Sequence, residues 1–96
     1  MAKYILLVNW TDQGVKNVKD SPKRLDAARK LAETAGAKMG DFYMTMGGYD
    51  MVAHLEAPDD AAVAKFVLHL AGAGNVRTQT LKAFSEDEYR KILSAL

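Results

Sequence analysis

The fold class that this sequence predicts is α+β, a four-stranded antiparallel sheet covered by helices, and three observations predict it. Gly47-Gly48 separates two segments of strand type, Phe42-Tyr43-Met44-Thr45-Met46 and Met51-Val52-Ala53-His54-Leu55. A tight hairpin turn needs positive φ angles that a residue without Cβ adopts cheaply, so the glycines join the two segments as a β-hairpin. On each side of the hairpin lies a segment with apolar residues at helical spacing, and beyond each of these lies another strand-like run. The chain therefore reads β-α-β-β-α-β, with one more helix at its end.

Lys3 to Trp10 opens the order as a strand with apolar residues on both alternating faces, the pattern of a central strand buried twice over. Thr11 to Asp20 is polar, contains Gly14, and reads as a loop or short irregular turn. Ser21 as N-cap and Pro22 at the first helical position start a helix to about Ala35. Leu25, Ala28, Leu31, Ala32 and Ala35 form its core face, and Gly36 sits where a left-handed residue closes a helix. Ala37 to Met46 and Met51 to Glu56 are the hairpin strands. Pro58, Asp59 and Asp60 then put negative charge at the positive end of a second helix. This helix runs to about Ala71, with Val63, Phe66, Val67 and Leu70 at i, i+3, i+4 and i+7. Gly72 and Gly74 end it, and Val76 to Ala83 is the fourth strand. Ser85 and Glu88 have capping-box spacing and start a terminal helix through Tyr89, Ile92, Leu93 and Leu96.

This order is the ferredoxin-like βαββαβ sandwich, here with a C-terminal helix. Right-handed crossovers put the first and third strands side by side in the middle of the sheet, with both main helices on one face. The other face is then open, yet the first strand is apolar on both sides. A chain this small does not expose such a patch without cause. The economical arrangement is a homodimer of the dimeric α+β barrel type, or a higher homo-oligomer, with two sheets face to face and a central cavity.

Composition excludes more than it selects. At 96 residues the expectation is one domain over positions 1–96. No cysteine is present, which removes disulfides, thiolate catalysis and cysteine-based metal sites, and the cytoplasm is the default compartment. No apolar run approaches a membrane span, so no membrane partner is expected. Thirteen basic against twelve acidic residues give a net charge of +1, well short of a nucleic-acid-binding surface. The basic residues Lys16, Lys19, Lys23, Arg24, Arg29 and Lys30 read as a solvated helix face.

Several blocks carry a family resemblance. Asn9-Trp10-Thr11-Asp12-Gln13-Gly14, Asp20-Ser21-Pro22-Lys23-Arg24, Gly47-Gly48-Tyr49-Asp50, Glu56-Ala57-Pro58-Asp59-Asp60 and Gly74-Asn75-Val76-Arg77-Thr78-Gln79-Thr80-Leu81 occur in this order. Together they resemble the GYD domain family of small bacterial proteins, over nearly the whole chain. The resemblance implies a ferredoxin-like, dimeric α+β barrel type of fold. It implies no activity and brings no catalytic residues with it.

The residues that can carry chemistry are few. His54 is the candidate catalytic residue, because it shares a face with Val52 and Glu56 and is the one acid/base group of neutral pH on the hairpin. The plainer reading is a half-buried histidine satisfied by a hydrogen bond. Asp50 has the same alternation parity, but four residues of strand, about 13 Å, separate the two, which argues against a direct dyad. Asp50 reads either as a ligand contact or as a cap of its turn. Tyr49 offers a phenol to a ligand or packs beside the hairpin. Arg77 is the best anion-binding candidate, with a solvated edge-strand arginine as the alternative. Asn9 and Trp10 end the first strand and split across its two faces, where either can line a pocket. The ligand-binding candidates are thus Asn9, Trp10, Tyr49, Asp50 and Arg77. Neither a metal nor a cofactor is expected.

Two functional classes follow. In one, a dimer cavity at the sheet face binds a small organic ligand, with cofactor-independent proton transfer through His54. In the other, the chain is a non-catalytic oligomeric binding or assembly module that uses Tyr49, the hairpin or the strand edges as contact surface. RNA binding across the sheet is disfavoured by charge and by the lack of an aromatic basic strand.

Overall fold

A computed structural model describes residues 1–96. Its elements are β1 (Ala2–Trp10), a short helix α1 (Asp12–Lys16), a 3-10 turn (Val18–Asp20), α2 (Ser21–Thr34), β2 (Lys38–Met44), β3 (Met51–Ala57), α3 (Asp60–Gly72), β4 (Val76–Ala83) and α4 (Glu86–Ser94). The sheet order is β2-β3-β1-β4, and every neighbouring pair is antiparallel. The expected βαββαβ sandwich with a terminal helix is therefore present, with β1 and β3 central.

The polar stretch read as a loop holds α1. Thr11 caps this helix, accepting through Oγ1 from the Gly14 amide at 3.1 Å. The same segment is bolted to the α3–β4 turn. The Thr11 amide donates to the Asn75 carbonyl at 3.0 Å, its hydroxyl donates to the Gly74 carbonyl at 2.6 Å, and Gln13 Nε2 donates to the Ala73 carbonyl at 3.2 Å. Gly14 lies so close to this turn that a Cβ there would stand 2.0 Å from the Asn75 carbonyl oxygen. These contacts hold Thr11–Gly14 and Gly74–Asn75 against each other.

Alternation sorts each strand into two faces. Tyr4, Leu6 and Val8 of β1 and Met51, Ala53, Leu55 and Ala57 of β3 are buried beneath the helices. They meet Ala32 of α2 and Val63 and Phe66 of α3, and Phe66 is fully enclosed. The helix cap before α2 falls one residue earlier than expected, on Asp20, while Pro22 does stand in the first turn. Gly36, at φ +76°, closes α2, and Asp59 caps α3 by accepting from the Ala62 amide at 2.9 Å.

Near the N-terminal end of β1 the Tyr4 hydroxyl donates to the Asp60 carboxylate in the first turn of α3, and Lys82 lies 3.4 Å from the same carboxylate. The bond to Asp60 pushes the Tyr4 phenol up to about 12 and, from the other side, holds the Asp60 carboxyl below its usual range. β2 ends at Met44 rather than Met46. It also carries a bulge: Met39 pairs with Leu55 but Phe42 pairs with Ala53, so one residue more lies on β2 than on β3. Arg29 of α2 steadies the bulge by donating to the Met39 and Gly40 carbonyls, each at 3.1 Å. Arg29 is thus a structural tie and not only a solvated charge.

The terminal helix α4 has its expected capping box, Ser85 Oγ accepting from the Glu88 amide and Glu88 accepting from the Ser85 amide. Every residue of α4 is exposed, its apolar Tyr89, Ile92 and Leu93 included.

Candidate functional site on the open sheet face

The strand register decides which side chains share the uncovered face. Ile5 pairs with His54 and Leu81, Leu7 with Val52 and Gln79, and Asn9 with Arg77. All of these stand opposite the helices. On β2, Lys38 pairs with Glu56 and Tyr43 with Val52, so both join the same face although five residues separate them. Plain alternation would have split them, and the bulge restores them to one side. Thr78 and Thr80 pair with Val8 and Leu6 and therefore point toward the helices.

Of the six residues singled out in the sequence, His54, Asn9, Asp50, Arg77 and Tyr49 belong to the open face or its rim. Trp10 does not. It pairs with Val76 on the helix side, and its buried indole Nε1 has no hydrogen-bond partner.

The five form two separate groups. At the hairpin end, Asp50 and Asn9 lock onto each other: the Asp50 amide donates to Asn9 Oδ1 at 3.1 Å and to the Val8 carbonyl at 3.0 Å. Asp50 Oδ2 accepts from the Trp10 amide at 3.0 Å. The carboxylate therefore ties the hairpin to the end of β1 rather than capping its own turn. The turn is held by Thr45, whose amide donates to the Asp50 carbonyl at 2.8 Å and whose hydroxyl donates to the Tyr49 carbonyl at 2.6 Å. Gly47 takes φ +130°, which a side chain would resist. From this turn Tyr49 reaches across β1 and its hydroxyl donates to Gln79 Oε1 on β4 at 2.7 Å. Arg77 is exposed beside Asn9 and forms no ion pair.

At the other end His54 is exposed, with the Tyr43 ring edge-on at a centroid distance of 6.4 Å. No side-chain hydrogen bond orients its imidazole. It borders a shallow groove of about 410 Å³ that includes Ile5, Lys38, Gly40, Asp41 and Glu56. Lys3 and Glu56 face each other across this groove at 3.8 Å. Ile5 and Leu81 lie in the cross-strand row of His54, and Leu7 and Val52 in the next row toward Asn9, so these partly exposed apolar side chains form one strip.

Four strand residues separate Asn9 from the residue paired with His54, a distance of about 13 Å that keeps the two groups from meeting. The imidazole has no acid, base or nucleophile held against it. What the face offers instead is an apolar strip with polar ends, a geometry suited to contact. Gln79, Tyr43 and Lys38 are parts of this face that sequence reasoning did not rank as site residues. For Gln79 and Tyr43 the signal was alternation with a known register; for Lys38 it was hidden by the bulge.

Comparison with known proteins places this geometry among relatives. The GYD domain pattern matches residues 4–93. A protein of Thermus thermophilus, named glutamine synthetase and cystathionine beta-lyase binding protein, is 37% identical over 84 residues, which cover 86% of this chain and 88% of the relative. The crystal structure of TTHA0845, also from Thermus thermophilus, superposes with a TM-score of 0.57 at 22% identity, over 88% of this chain and 95% of that one. The crystal structure of MtbAldR superposes with a TM-score of 0.68 at 17% identity, over 88% of this chain but only 52% of that longer one. Both structures share the α+β fold.

Proposed function

The chain belongs to the GYD domain family, and from that premise we propose that it is a cytoplasmic protein-binding module, acting as a homodimer that stacks its open sheet faces. The observation that carries the reading is the strip of Ile5, Leu7, Val52 and Leu81, which is continuous across three strands and uncovered. A protein surface of this kind, apolar in the middle and polar at its ends, is suited to burial against another polypeptide. The relative named for binding glutamine synthetase and cystathionine beta-lyase supports a protein partner and suggests its class, an enzyme of amino-acid metabolism. His54, exposed and held only by the edge of Tyr43, fits a contact surface better than a proton-transfer centre.

Sedimentation equilibrium and surface plasmon resonance test the two halves of this reading. The wild type is expected to sediment as a dimer, and Leu7→Lys with Val52→Lys to sediment as a folded monomer. A monomeric wild type would sink the stacked-face dimer. Immobilised protein is expected to capture purified glutamine synthetase from the same organism; no capture of it or of cystathionine beta-lyase argues against the proposed partner class.

A second reading keeps the small organic ligand at the sheet face, with His54 moving a proton. The groove of about 410 Å³ beside His54 favours it, since Lys3, Lys38, Asp41 and Glu56 supply polar contacts around an imidazole. Native mass spectrometry of the purified protein distinguishes the readings, because a retained small molecule lost on His54→Ala supports the second.

A further inference from the structure

The opposite face of the sheet holds a feature that the protein-binding reading does not use. Between α2, α3 and the sheet lies a pocket of about 250 Å³, and 13 of its 17 lining residues are hydrophobic. Its floor includes Leu6, Met51 and Ala53, and its walls Ala28, Leu31 and Leu70. An apolar cavity of roughly 150 Å³ is enough to take benzene, so the space here suits a ring with a short chain.

The polar residues at its border are not balanced in charge. Arg24, His69, Ser21 and Asn75 line it, and no aspartate or glutamate does. Arg24 is also held in place. Its Nη1 donates to the Asn17 carbonyl and its Nη2 to the Gly14 carbonyl, each at 3.1 Å, and these two bonds leave other guanidinium N–H groups free. Ser21 belongs to the first turn of α2, the positive end of a 14-residue helix, so the helix dipole and the guanidinium favour the same sign of charge.

We propose that this helix–sheet pocket binds a small carboxylic acid with an aromatic or branched apolar tail, the tail between α2 and α3 and the carboxylate at Arg24. The apolar walls supply the larger part of the affinity through burial of the tail. The guanidinium selects the charge, because a carboxylate can accept two N–H bonds from it and a neutral head group cannot match this. The site is separate from the open sheet face, and its occupancy does not depend on dimerisation.

Isothermal titration calorimetry with 3-phenylpropionate and its neutral amide tests the proposal. The acid is expected to bind in the millimolar range or tighter, and the amide at least about tenfold more weakly, the size of one lost bond to a charged group. Arg24→Lys is expected to weaken the acid selectively. Because Arg24 also ties down the chain near Gly14, a second variant is needed: Ala28→Leu fills the pocket and is expected to abolish binding while the thermal midpoint holds or rises. Equal binding of acid and amide, unchanged binding to Ala28→Leu, or no heat from the acid at millimolar concentration would each overturn the proposal.

Discussion

Replacing Gly14 by alanine tests the bolt between the first loop and the α3–β4 turn. The added Cβ would stand 2.0 Å from the Asn75 carbonyl oxygen, whereas real Cβ atoms essentially never approach within 3.0 Å, so α1 must move away by about an ångström. The obstacle is backbone and cannot swing aside. A shift of that size lengthens the Thr11 amide to Asn75 bond from 3.0 Å beyond hydrogen-bonding range and disturbs the bonds to Gly74 and Ala73 beside it. Three such bonds at about 1 kcal/mol each, less about 1 kcal/mol that alanine gains over glycine in a helix, leave a loss of about 2 kcal/mol. Residual overpacking raises this toward about 3 kcal/mol. For a domain of this size the thermal midpoint is expected to fall by about 10–20 °C. Urea unfolding followed by the fluorescence of Trp10, which adjoins the loop, measures the difference directly. Gly72→Ala is the control: a Cβ there meets nothing within 4 Å, so its stability is expected to hold or rise. Equal midpoints for Gly14→Ala and wild type would refute the interlock.

Two further perturbations address other contacts. The Tyr4 phenol is raised to about 12 in the folded chain from an ordinary value of 10.0, so its contribution is fully present below pH 10 and is lost as pH rises toward 12. Tyr4→Phe is expected to remove that part of the alkaline decline in a melting series, and an identical decline in both proteins would rule the bond out as its cause. Asp50→Ala leaves the part-buried Trp10 amide without its acceptor and is expected to cost about 1–3 kcal/mol in urea unfolding. A variant as stable as wild type would show that Asp50 does not tie the hairpin to β1.

Much of the fold was legible because its signals act over short distances. The capping box at Ser85 and Glu88 needs only the four residues that form it, and the two glycines at 47 and 48 announce a turn wherever they stand. The two-sided apolar pattern of Lys3 to Trp10 placed that strand in the centre, and β1 does pair on both edges. The site was less legible. His54, Asn9, Asp50, Arg77 and Tyr49 stand out in the sequence by residue type alone, and the structure gathers them on one face or its rim but not at one point. Asp50, which the sequence offers as a ligand contact or a cap of its turn, bonds to the amide of a residue forty positions away in the chain.

The sequence by itself determined the order of the four strands and the three longer helices, the hairpin, the capping box of α4 and the presence of an apolar open face, but not the short helix α1 or the start of α2. It could do so because helical and strand periodicities and capping bonds depend on residues within a few positions of one another. Only the tertiary structure decided that Arg77 and Gln79, rather than Thr78 and Thr80, share the face of His54, since this requires the register of β4 against β1. Only it decided that Lys38 and Tyr43 lie on the same side, because the β2 bulge shifts the alternation. It likewise decided that Tyr49 meets Gln79, that Gly14 abuts Asn75, and that Arg24 and His69 border one pocket. Each of these meetings joins segments tens of residues apart through strand pairing and helix packing, and no local pattern in the chain encodes the distance between them.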